Sequence, residues 1–225
     1  MTYLLRVVLP DRPGTLGALA SALGTEGADI LSVDVVERGH GWAVDDLVVE
    51  LAASRPPDVL ITAAESVRDV SVESLRPFSG ALDTARELEL VEAVTATPGD
   101  GLDLLAEALP RIYRCAWALV VEATGPAAGA HDAPKVRRLA ASSAAPDTEA
   151  EHLAWLPLPR AAALDTAGGH AVPSAWTDLD TELAASPLGA PERVVVVGRP
   201  GGPAFRPSEL ARMSHLCGIL AVVMG

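Results

Sequence analysis

Asp11-Arg12-Pro13-Gly14-Thr15-Leu16-Gly17 constrains this chain more than any other stretch. It lies between a strand-like run, Tyr3 to Leu9, and a helix-like run, Leu16 to Leu23. A polar, Gly/Pro-rich junction of that kind presents backbone N–H groups at a helix N-terminus, where small anions bind. Pro13 has a φ suited to a first helical turn, and its missing N–H costs nothing there. Gly14 and Gly17 allow close approach of a backbone or a ligand. Asp11 has two readings, as a cap of the helix or as a ligand contact, and they are compatible.

The pattern continues in order. Leu16, Leu19, Ala20 and Leu23 recur at the spacing of one apolar helix face. Gly24 and Gly27 stop it, and Ile30 to Glu37 reads as a strand with Leu31, Val33 and Val35 on one face. Arg38-Gly39-His40-Gly41 forms a turn, with Trp42 to Leu51 as the hairpin partner. Pro56-Pro57 opens a second helix carrying Leu60, Ala63, Ala64 and Val67, and Val70 and Val72 alternate in a last strand. The order β-α-β-β-α-β is the ferredoxin-like pattern.

On these residues the chain resembles an ACT domain over about residues 3–75. The family's D-x-P-G-x-L run matches Asp11, Pro13, Gly14 and Leu16, and its Gly-x-Asn-Ile matches Gly27-Ala28-Asp29-Ile30. The resemblance implies a regulatory module that binds a small amino-acid-like ligand, and a homodimer. It places the ligand at Asp11, Arg12, Pro13, Gly14, Leu16, Asp29 and Ile30, close to a subunit interface. Arg12 can meet a carboxylate. The departure is Asp29: an Asn amide can donate to a carboxylate, whereas an ionised Asp only accepts and so suits an ammonium.

At 225 residues the chain is too long for one such domain and suits two. Its net charge of −13 argues against nucleic acid and anionic membranes, which call for clustered Lys and Arg. The first residues lack a basic segment leading into an apolar one, so no signal peptide is expected. The apolar run Cys217 to Met224 is far short of a membrane span. Cys115 and Cys217 read as buried free thiols, which fits a cytoplasmic protein.

The expected division is an ACT-like domain over 1–76, a linker helix within 77–97, and a second domain over 98–225. Arg76 to Gly80 marks the break, and Ala81 to Thr95 reads as a helix. Leu102 to Tyr113 is a helix that Pro110 should kink or end. Trp117 to Ala123 and Val136 to Ser142 read as strands around a loop from Gly125 to Pro134. Arg193 to Gly198 is a buried strand, and a turn leads to a helix from Pro207 lined by Leu210, Met213, Cys217, Leu220 and Met224. This order, and above all the segment VVVGRPGGPAFRPSELARM, resembles a GAF domain. The expected fold class is therefore α+β, a ferredoxin-like ACT domain plus a GAF-like α/β sandwich. The middle, Ala144 to Ser186, is poor in strand signal, so no ligand is implied there.

No catalytic, metal or cofactor site is expected. His40, His131, His152, His170 and His215 lack the short spacings of a zinc site. No Walker A, dinucleotide or nucleophile-elbow motif occurs. Asp178, Asp180 and Glu182 lack the glycine of a calcium loop and read as solvated. His40 reads as an exposed turn residue, and Trp117 as core. The reading that follows is a non-catalytic sensor: the ACT half binds an amino-acid-like ligand and the GAF-like half serves as readout or dimerisation module. Two other classes stay open. One is a ligand-free interaction module; the other is an enzyme drawing on distant residues such as Glu122, Arg138, Asp165 and His170.

Overall fold

The computed structural model describes residues 1–78, 85–124, 134–147, 153–165 and 169–225. The chain forms two compact units, Met1–Asp83 and Thr84–Gly225.

In the first unit the order is β1 (Thr2–Pro10), α1 (Thr15–Thr25), β2 (Asp29–Gly39), β3 (Trp42–Glu50), α2 (Asp58–Glu65) and β4 (Ser71–Pro77). The antiparallel sheet runs β2-β3-β1-β4, the ferredoxin-like arrangement expected. Alternation decides what each face holds. Tyr3, Leu5, Val7 and Leu9 of β1 and Leu47 and Val49 of β3 pack against Leu19 and Leu23 of α1 and Leu60, Ala63 and Ala64 of α2. The intervening residues Leu4, Arg6, Val44, Asp46 and Val48 are also buried. Cross-strand partners Arg6 and Asp46 form a two-pronged pair there: Nε donates to Oδ1 at 2.7 Å and one terminal nitrogen to Oδ2 at 2.9 Å. Leu31, Val33 and Val35, expected as one apolar face, are all exposed. Their strand is the sheet's edge, and a bulge between Ile30 and Ser32 takes Leu31 out of the alternation.

In the second unit, α3 (Arg86–Ala96) packs on α4 (Gly101–Ile112) and on α6 (Pro207–Met224). Of the expected helix from Ala81, residues 81–84 lie outside the described residues. Pro110 sits in the last turn of α4, which ends two residues later. The sheet comprises β5 (Trp117–Thr124), β6 (Lys135–Ala141), β7 (Ala162–Ala163), β8 (Thr181–Leu188) and β9 (Ala190–Pro200), in the order β6-β5-β9-β8-β7. A short helix, α5 (Ser174–Thr177), precedes β8. The expected loop over 125–133 lies outside the described residues.

This sheet separates two cores. Ala118, Val120, Ala184, Val195 and Val197 face the helices α3, α4 and α6. Trp117, Leu119, Leu183, Val194 and Val196 face a layer containing Leu153, Leu156, Leu164 and Trp176. Trp117 is core, as expected, and its ring lies 6.1 Å from that of Trp176. Gly198 is opposite Trp117 in the ladder, and a Cβ there would stand 2.1 Å from the indole. β8 was not legible in the sequence. Its Thr-Glu-Leu-Ala-Ala-Ser-Pro-Leu has no run of branched or aromatic residues. Its Ala184, on the helix-facing side, lets α6 lie close to the strand.

Both cysteines are free thiols. Cys217 is fully buried and Cys115 only partly so, and burial pushes the Cys217 thiol up to about 12.

Candidate ligand site at the first helix

The turn after β1 hangs on the β2–β3 hairpin through the Asp11 N–H, which donates to the Gly41 carbonyl at 2.8 Å. Gly14 takes φ +92°, the left-handed conformation that glycine adopts at no steric cost, and α1 starts after it with no side chain capping it. Asp11 is therefore not a cap. The first bonds of the helix are Thr15 N–H to the Arg12 carbonyl and Ala18 N–H to the Gly14 carbonyl. The N–H groups of Leu16 and Gly17 have no acceptor among the described residues. A Cβ built on Gly14 or Gly17 would meet nothing within 4 Å. The N-terminus of α1 thus presents two free donors to open space, at the positive end of the helix dipole.

Two ion pairs lie at this turn. Arg38 lies 3.5 Å from Asp11, and Arg12 lies 3.5 Å from Asp69, all four largely exposed. Asp11, Arg12, Pro13, Gly14 and Leu16 are thus gathered on one surface. A Gly14→Val change would strain the turn through its φ rather than simply crowd a ligand.

Asp29 and Ile30 do not join them within one chain. Asp29 pairs with Glu50, which pairs with Thr2; Gly39 pairs with Trp42, which pairs with Pro10. The start of β2 and the Asp11 turn therefore stand at opposite ends of the sheet, about 26 Å apart at roughly 3.3 Å per residue. Nearness in sequence to the first helix hid this, because α1 carries the chain back along the sheet before β2 begins.

Sequence reasoning missed Asp45. It pairs with Val7 and Val35 and belongs to the helix-facing set of β3, beside Leu47 and Val49. Only 4% of it is exposed, and its Oδ1 has no hydrogen-bond partner among the described residues. Burial holds its carboxyl above the usual carboxylate range; Arg38 lowers it, and Asp11, Asp46 and Asp34 raise it further. The signal was the phase of Trp42-Ala-Val-Asp-Asp-Leu-Val-Val, which sets one aspartate on each face of an apolar strand.

Elsewhere the polar residues are engaged separately. Glu122 holds Arg193 and Arg137, which lower its carboxyl below the usual range. The Arg138 guanidinium donates to the Pro146 carbonyl. His170 contacts the Asp165 carbonyl and the edge of Trp155. His40 is exposed at the hairpin turn, as expected. His131 and His152 lie outside the described residues. Among the described residues no cluster of three or more His, Cys, Asp or Glu could hold a metal ion, and no helix is long and apolar enough to cross a membrane.

Comparison with curated proteins finds no match to this chain. Among solved structures, an unknown protein from Galdieria sulphuraria is 20% identical, with 57% of this chain and 74% of that one covered and a TM-score of 0.32. The GAF domain of an Acinetobacter phosphoenolpyruvate-protein phosphotransferase is 10% identical, with 65% and 94% covered and a TM-score of 0.43. A formyltetrahydrofolate deformylase from Pseudomonas putida KT2440 is 11% identical, with 43% and 38% covered and a TM-score of 0.29. The ACT-domain family model matches residues 3–69, so the first unit of this chain carries an ACT domain.

Proposed function

We propose that this is a non-catalytic regulatory protein whose ACT domain binds a small amino-acid-like carboxylate at the N-terminus of α1. The observation that carries the reading is the pair of N–H groups at Leu16 and Gly17 that have no acceptor among the described residues, on an exposed turn that also carries Arg12 and, through its ion pair with Asp11, Arg38. A carboxylate there accepts two charge-assisted hydrogen bonds and meets the positive end of the helix. The second unit acts as readout or as a dimerisation module. The free thiols fit a cytoplasmic setting, and the net charge of −13 fits a protein with no nucleic-acid or membrane partner.

The proposed assembly is a homodimer through β2. This strand is an edge with exposed Leu31, Val33 and Val35, and such edges pair with other strands unless blunted. An antiparallel β2–β2 pairing about a two-fold axis near Asp34 sets Val33 of one protomer opposite Val35 of its partner. It also sets Ile30 of one beside Arg38 of the other, so the two halves of the expected site meet across the interface.

Two measurements test this. A thermal-shift screen against the common amino acids is expected to raise the melting temperature with at least one of them, by mass action on the folded state. Sedimentation at micromolar concentration is expected to give twice the chain mass of 23.2 kDa. A single species near 23.2 kDa would remove the dimer, and a screen with no shift would remove the amino-acid ligand.

A further inference from the structure

We infer that Asp45 receives the amine of the ligand, so that the site selects molecules carrying both a carboxylate and a cationic amine. The inference rests on the reading that a carboxylate binds at the α1 N-terminus.

Three observations lead to it. First, Asp45 is buried with an orphaned oxygen in an otherwise apolar layer. Nothing in the packing of this unit needs a carboxyl there, because its neighbours on that face of β3 are Ala43 and Leu47. An unpartnered buried acceptor costs stability unless something supplies a donor. Second, the carboxyl lies close to the ligand turn. Asp45 is three pairs from the end of the β1–β3 ladder, where the Asp11 turn begins, and the Asp11 charge acts on it. Third, one side of Asp45 is closed and the other open. Its neighbour on β1, Val7, is fully buried, whereas its neighbour on β2, Val35, is 45% exposed. In the single protomer the less covered side of Asp45 is therefore the side of β2.

The charges around Asp45 fit a cation. Asp11 stands on the turn, and Asp34 and Asp46 occupy the opposite face of the sheet. Helix α1 carries no charged residue. Among the described residues, the cation that acts on Asp45 is Arg38, which is drawn to Asp11 at the surface, while Arg6 is held by Asp46 on the opposite face. An ammonium seated at Asp45 would give its orphaned oxygen a donor and offset the surplus of negative charge.

A proton is linked to this step. In the free protein the Asp45 carboxyl stays protonated above its ordinary range. Binding an ammonium requires the carboxylate, so the carboxyl proton leaves to solvent. Affinity for amines then rises with pH towards tenfold per unit until the raised value is passed, and levels off above it. The linkage to folding has the opposite sign. With its folded pKa raised, Asp45 weakens the fold as pH climbs from the ordinary carboxylate value through the raised one.

Asp45→Asn tests both. The variant is expected to melt higher than wild type at neutral pH, with the gap closing in acid. Its affinity for amine-bearing carboxylates should fall at least tenfold. The probes are the common amino acids, 4-aminobutyrate, and the 2-hydroxy acid counterpart of whichever amino acid binds best. The hydroxy acid should bind wild type and Asp45→Asn alike, and variant affinities should be flat with pH. Equal amino-acid affinity in both proteins overturns the role of Asp45 and leaves the carboxylate site standing. If no probe shifts the melting temperature, methylamine is titrated against the side-chain carboxyl 13C resonance of Asp45. Movement of that resonance then supports the amine site while the carboxylate reading falls; no movement overturns both.

Discussion

Arg199→Ala is expected to destabilise the second unit by about 3–5 kcal/mol, the usual penalty for breaking a fully buried ion pair by removing one partner. Arg199 is completely buried. Its guanidinium donates to Glu209 Oε1 at 2.7 Å, to the Tyr113 carbonyl at 2.7 Å and to the Pro203 carbonyl at 3.0 Å, and stacks over Phe205 at 4.0 Å. The other oxygen of Glu209 accepts from the Arg206 N–H at the start of α6. One residue thus ties the end of β9, the end of α4 and the entry to α6 together. Alanine would leave Glu209 charged and buried without its cation. Urea unfolding followed by fluorescence reads the loss, since Trp117 and Trp176 both sit in this unit's core. The double variant Arg199→Met, Glu209→Gln should recover a large part of it, and a double variant no better than the single one would contradict this account.

The second large effect is expected in the ACT domain. Arg6→Met should cost about 3–5 kcal/mol, because Asp46 would remain as a buried charge. The pair is 1% and 0% exposed, and its two-pronged geometry is that of a strong arginine–carboxylate contact. Arg6→Met with Asp46→Leu removes both charges and fills the space with apolar atoms. That combination should be near wild type, as replacing a buried pair with well-packed hydrophobes often is. Calorimetry of the four proteins, Asp46→Leu included, completes the cycle; a double variant whose loss equals the sum of the two single losses would mean that the pair carries no coupling.

The ACT domain was legible because its local signals agree with one another. The Asp11 to Gly17 turn, the apolar face of α1 and the β2–β3 turn each point to the same order of elements. What could not be read was position across the sheet. Asp11 and Asp29 are close in sequence, yet antiparallel register sets them at opposite ends. Asp45 escaped for a related reason: β3 is buried on both faces, so it shows no alternation against which a misplaced carboxyl stands out. In the second unit, β9 with its four valines announced itself, whereas β8 was hidden by alanines and Pro187. Its strand character comes from lying between β9 and β7, a tertiary effect absent from local propensity.

The most direct test of the central claim is a 15N-resolved titration of the protein with an amino acid that raises its melting temperature. The Leu16 and Gly17 amides, which have no acceptor among the described residues, should shift as they gain a carboxylate partner. Asp29 and Ile30 should move with them and saturate at the same concentration, reporting the partner protomer's half of the site. Saturable binding that leaves Leu16 and Gly17 unmoved, with shifts confined to Thr84–Gly225, would contradict a ligand site at the first helix.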